Sequence, residues 1–151
     1  KMNNFEDNLS KLWKKIGTHG IMVLSTCAES YVTSRPMSVV IVGEKFYCQT
    51  DEKYLKFRQI MQNDNVALSV KNFSIEGRCR EIGKPLDNCN SEFAAAIKKH
   101  FLLAYKSYSH IESERLLEIM PTLIYSWSYE LTKPYMEYWD FEKQTYRKEY
   151  K

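Results

Sequence analysis

The segment from Tyr31 to Val42 constrains this chain more than any other. It is a long run rich in β-branched residues, it stops at Gly43-Glu44, and a second strand-like run, Lys45 to Thr50, follows at once. That pattern reads as a hairpin. Strand alternation puts Tyr31, Thr33, Arg35, Met37, Val39 and Ile41 on one face and Val32, Ser34, Pro36, Ser38 and Val40 on the other. Arg35 therefore shares a face with apolar residues. A guanidinium on such a face needs an anionic partner, and a structural carboxylate meets that need as well as a bound anion does. Pro36 removes a ladder donor, so the strand is expected to be bulged or at an edge there. A gap of that kind lets a planar ligand meet backbone atoms.

The rest of the chain keeps to short hairpins. An amphipathic helix opens it, with Phe5, Leu9, Leu12, Trp13 and Ile16 at helical spacing and Gly17 as a stop. Ile21 to Thr26 is a strand. Asp51 is placed to cap a helix that runs through Ile60-Met61, and Val66 to Val70 and Phe73 to Ile82 read as two more strands. A helix is expected from Ser91 to about Ser107, a short one from Ile111 to Met120, and strands over Leu123 to Leu131 and Tyr135 to Phe141. With no regular βαβ alternation, the expectation is one mainly β domain over residues 1–151, a small antiparallel barrel decorated by helices.

A chain of 151 residues with 44% hydrophobic and 27% charged residues can bury a core without disulfide staples. Cys27, Cys48, Cys79 and Cys89 show no CxxC spacing, so no metal site is signalled and free thiols in a reducing compartment fit. No run approaches the about eighteen apolar residues of a membrane span. The stretch Lys1-Met2-Asn3-Asn4-Phe5-Glu6 has no apolar signal-peptide core, so a cytoplasmic protein is expected. A net charge of +3, spread along the chain, does not mark a nucleic-acid binder, and the mixed-charge tail from Tyr146 to Lys151 reads as a solvated end. His19, His100 and His110 form no catalytic motif, and no catalytic side chain is assigned.

Lys53 and Lys56 fall where the helix after Thr50 should begin. A helix start repels cations, so together with its free amides and the Thr50 hydroxyl they could form a phosphate site, or they could be ordinary lysines on a solvated helix.

With these segments in view, the chain resembles the pyridoxamine 5'-phosphate oxidase-like family of flavin-binding split barrels. The resemblance rests on Val32-Thr33-Ser34-Arg35-Pro36-Met37-Ser38, on Phe46-Tyr47-Cys48-Gln49-Thr50 with Lys56 six residues on, and on Asn65 to Val70 followed by Ile75-Glu76-Gly77. It implies a six-stranded antiparallel split barrel of Greek-key type, with an N-terminal helix and inserted helices. It also implies a homodimer with flavin mononucleotide (FMN) between the subunits. By that resemblance Arg35 and Lys56 hold the phosphate, and Lys53 compensates for a missing family arginine. Pro36, Met37 and Ser38 line the isoalloxazine, Gln49 and Thr50 meet the cofactor, and Asn72 faces the flavin. Trp139 and Arg147 reach it from the partner.

The chain departs from the family in three places. Tyr54-Leu55 replaces a Ser-Arg pair, Val40 replaces a lysine, and the tail after Trp139 lacks the Arg-x-His-Asp-Arg stretch of the true oxidases. The resemblance thus implies an FMN-dependent oxidoreductase for a small organic substrate or second cofactor, without the specific pyridoxamine phosphate site. The alternative is a flavin- or heme-binding module without rapid turnover.

Overall fold

A computed structural model describes residues 4–151. Of the stretch read for a signal-peptide core, Lys1, Met2 and Asn3 lie outside them. The chain runs α1 (Asn4–Ile16), β1 (His19–Ala28), β2 (Tyr31–Val42), β3 (Lys45–Asp51), α2 (Leu55–Gln62), β4 (Asn65–Val70) and β5 (Phe73–Glu81). It continues through α3 (Ser91–His100), α4 (Leu102–Tyr108), β6 (Glu114–Glu130), β7 (Lys133–Asp140) and β8 (Thr145–Tyr150).

All strand pairs are antiparallel, in the order β3-β2-β1-β4-β5-β6-β7-β8, and a β3–β6 pairing closes the first six into a barrel. The fourth strand returns beside the first, which is the Greek-key order. β7 and β8 extend the sheet beyond the barrel as two extra strands. The expected fold class holds.

Alternation fills the interior. Met22, Leu24, Val39, Phe46, Leu68, Ile75, Leu117, Ile119 and Ile124 are each almost fully buried in one core cluster. α1 adds Phe5, Leu12 and Ile16 from the side of the β2–β3 turn. α2 covers the other end of β2, where Gln59 donates to the Tyr31 carbonyl. A second cluster, Val40, Phe93, Ile97 and Leu116, fastens α3 to the outer barrel surface.

Three expectations change. The stretch Ile111 to Met120 is not a helix: from Glu114 it is the first part of β6, because its backbone groups complete both the free edge of β3 and the edge of β5. The helix after β3 begins at Leu55 with Tyr54 at its N-cap, so Asp51 ends a strand instead of capping a helix, and Lys53 lies outside it. The helix from Ser91 breaks at Phe101 into α3 and α4.

Candidate functional site

β2 pairs with β3 only over Val40–Val42, while Cys48 to Asp51 turn away to pair with β6. The two strands diverge, and the β2 edge from Pro36 to Ser38 is left without a partner on that side. Pro36 sits in an unbroken register with Val23, so the strand is at an edge there and not bulged. The opening is a cavity of about 260 Å³ whose walls include Pro36, Met37, Ser38, Gln49, Thr50 and Lys56. These residues, assigned from the sequence to one ligand, come together. A larger hollow of about 720 Å³ beside α1 gathers none of them.

Lys56, on the first turn of α2, is half-buried; burial and then the nearby Arg35 charge lower its pKa, with Cys48, Glu114 and Asp51 pulling the other way. Arg35 stands behind the cavity wall on the inward face of β2. Its guanidinium donates to the Leu24 carbonyl at 3.2 Å, to Thr26 Oγ1 at 2.9 Å and to Thr33 Oγ1. All three acceptors are neutral. Among the described residues neither Arg35 nor Lys56 has an ion-pair partner, so the structural carboxylate that the sequence left open for Arg35 is not there. Two partly buried cations side by side favour an anion.

Gln49 points to the same conclusion. Its Oε1 accepts the Ser109 hydroxyl at 2.8 Å, while its Nε2 is buried with no acceptor among the described residues. A buried amide hydrogen left unpaired costs about 1–3 kcal/mol, which a ligand acceptor would recover. Thr50 is buried beside it. Cys48 faces the core, and burial pushes its thiol up to about 12 against the pull of Lys56 and Arg35. It is inert packing.

The other sequence-assigned residues lie elsewhere in the chain. Lys53 is exposed before α2, its amide donating to Asp51 Oδ1 at 2.9 Å. Asn72, in the β4–β5 turn, donates to the Trp127 carbonyl at 2.6 Å. Arg147 on β8 stacks over Tyr138 at 3.9 Å and bonds Glu149 at 2.8 Å. Trp139 is 1% exposed, packs against Phe73 and Tyr146, and donates its indole hydrogen to the Asn8 carbonyl of α1 at 3.1 Å. That burial places the ring in the core of its own subunit, against α1.

Sequence reasoning missed Asp51, Tyr54, Tyr108 and Glu114, which also line the cavity. Glu114 was hidden because its segment was read as helix. As a strand, its register opposite Asp51 would have placed it on this wall.

No family model matches the chain, and no curated protein does. Solved structures match along most of its length. A pyridoxamine 5'-phosphate oxidase-related, FMN-binding protein from Nostoc punctiforme is 11% identical, with a TM-score of 0.59 over 100% of this chain and 98% of that one. A NimC/NimA family protein from Clostridium acetobutylicum is 15% identical, with a TM-score of 0.59 over 99% and 96%. The heme storage protein HutZ from Vibrio cholerae is 12% identical, with a TM-score of 0.59 over 78% and 89%. The chain thus has the fold of the pyridoxamine 5'-phosphate oxidase-like proteins, as its sequence resemblance implied, and shares that fold with a heme storage protein.

Proposed function

We propose that this chain binds FMN in the cavity between β2 and β3 and acts as an oxidoreductase on a small organic substrate or a second cofactor. The observation that carries the reading is the pairing of two partly buried cations, Arg35 and Lys56, without ionic partners, next to the unpaired Nε2 of Gln49. Lys56 would meet the phosphate at the wall, with Arg35 adding its charge from behind it; Pro36, Met37 and Ser38 would line the ring, and Gln49 would donate to one of its acceptors. Bound flavin supplies the electron transfer. The protein binds, orients and excludes water, the last through Ile97 and Ala104 of the two covering helices.

Neighbours that handle heme favour a second reading, a heme-binding module. No histidine lines the cavity. His19 and His100 instead stack on each other at 3.9 Å. FMN fits the wall better.

A second copy of the chain would complete the site, because about 260 Å³ is below the roughly 300–1,000 Å³ of typical ligand pockets. Exposed Ile21 and Val23, on the outer face of the barrel beside the small residues Ser25, Ala67 and Ser69, suit such a contact. All four cysteines are free, in keeping with a reducing compartment such as the cytoplasm. No helix of the described residues is long and apolar enough to cross a membrane.

The test is a visible and fluorescence titration with FMN, riboflavin and heme in turn. FMN should bind with quenched fluorescence. Lys56→Glu should weaken FMN at least about tenfold while changing riboflavin little, as expected when one charge-assisted bond becomes a repulsion. Undiminished FMN affinity in the variant refutes the phosphate assignment, and a Soret band without flavin binding favours the heme module.

A further inference from the structure

Glu114 opens β6, is only 5% exposed and lines the cavity, yet its carboxyl has no hydrogen-bond or ion-pair partner among the described residues. Directly across the β3–β6 ladder stands Asp51, a second carboxyl on the same wall. The two are held differently. Asp51 accepts the Ser113 hydroxyl at 2.7 Å and the Lys53 amide at 2.9 Å, and these bonds keep its pKa below the usual range. Glu114 has no such donors, and burial, followed by the Asp51 charge, pushes it up to about 7 against the pull of Lys56. Near neutral pH Asp51 is charged while Glu114 is divided between its charged and its protonated form.

The charge of the cavity turns on that proton. Lys56 and Asp51 offset each other. Tyr54 and Tyr108 line the same wall with their rings. Arg115 is engaged by Glu52 at 2.9 Å. With Glu114 neutral, Arg35 behind the wall leaves the site cationic; with Glu114 charged, that surplus is cancelled.

We propose that Glu114 is the proton-linked ligand donor of this cavity, taking up one proton when a phosphate ester binds beside Lys56 and donating that hydrogen to a ligand oxygen. The proposal rests on the phosphate-binding reading above and adds to it a coupling between ligand and proton. A phosphate dianion close to Glu114 strengthens the hold on the proton, and linkage requires the proton to strengthen the hold on phosphate equally. A neutral carboxyl also gives a short, strong hydrogen bond to an anionic oxygen, where a carboxylate would repel it.

Calorimetric titration of the whole protein with FMN tests this, in two buffers of different ionisation enthalpy from pH 6.5 to 8.5. Proton uptake should approach one per FMN bound near pH 8, and Kd should rise by up to about tenfold per pH unit above neutrality. The phosphate of FMN is already a dianion there, with a second pKa of about 6. In Glu114→Gln the uptake should vanish and Kd should stay within about twofold across the range, since the amide does not titrate. FMN binding without proton uptake in the unaltered protein, or a slope that survives in Glu114→Gln, overturns the proposal and leaves the phosphate reading standing. Equal proton uptake with riboflavin overturns it too, since no phosphate is then involved. Absence of FMN binding at pH 6.5 overturns both. If Glu114→Gln does not fold, the two-buffer comparison on the unaltered protein decides alone.

Discussion

Gln59 joins α2 to the strand that carries Arg35. Its Oε1 accepts the hydroxyls of Thr26 at 2.6 Å and Thr33 at 2.7 Å, and its Nε2 donates to the Tyr31 carbonyl at 3.0 Å. With both hydroxyl hydrogens committed to Gln59, both hydroxyl oxygens are left to accept from Arg35. The direction of donation follows from the residue types, because a guanidinium has no acceptor. Gln59 and Thr26 are almost fully buried, so unmade bonds here have no water to replace them. Gln59→Leu is expected to lose about 2–4 kcal/mol in urea denaturation. It should also weaken FMN more than riboflavin, since Arg35 loses its anchors. A change below about 0.5 kcal/mol would show that the network contributes little.

β6 serves three neighbours in turn: β3 over Glu114 to Ile119, β5 over Leu117 to Ser126 and β7 over Leu123 to Glu130. Where it leaves β3, the ladder with β5 shifts register between Glu76 and Gly77, and Pro121 lies opposite Gly77. A Cβ on Gly77 would stand 2.7 Å from the Met120 carbonyl oxygen and 3.0 Å from Ile119 Cγ2. Only a glycine lets the two backbones approach this closely. Gly77→Ala should therefore cost about 1–3 kcal/mol, read as a fall in Tm. An unchanged Tm would mean that the ladder relaxes freely at the bulge.

The same element explains what the sequence disclosed and what it hid. The hairpin from Tyr31 to Thr50 was legible because period-two alternation, a glycine turn and a proline each have one local meaning. From it came the inward Arg35, the edge at Pro36 and most of the cavity wall. Residues 111–120 carry Leu116, Leu117 and Ile119 at spacings that suit a helix or a strand alike. The deciding factor is the unpaired edge of β3, far away in the chain. Trp139 carries a related ambiguity, since an aromatic residue on a strand reads equally as core or as ligand contact. Only the passage of α1 across it, bringing the Asn8 carbonyl, gives its indole hydrogen a partner.

At the scale of the molecule, six strands form a closed barrel and two more stand outside it, so the outer sheet face continues from β1 across β4, β5 and β6 to β7. Ile21, Val23 and Trp127 are exposed, and several neighbours are small. The proposed dimer would cover such a face. Sedimentation of the FMN-bound protein should give twice the chain mass, and Val23→Asp should shift it toward monomer while weakening FMN, since a charge on a buried interface patch costs several kcal/mol unless paired. A monomer that holds FMN tightly would contradict the shared site.

The closing pair of the barrel, Phe46 against Ile119, joins a strand made early in synthesis to one made late. A chain still emerging from the ribosome can form the β1–β2–β3 meander and add β4 and β5, but β3 and β5 both keep open edges until Glu114 and its successors appear. Without β6 the cavity wall is incomplete, and the free edges of β3 and β5 invite pairing with another chain. Glu114 arrives with the strand that ends this exposure, so closure and the completion of the ligand site are one event.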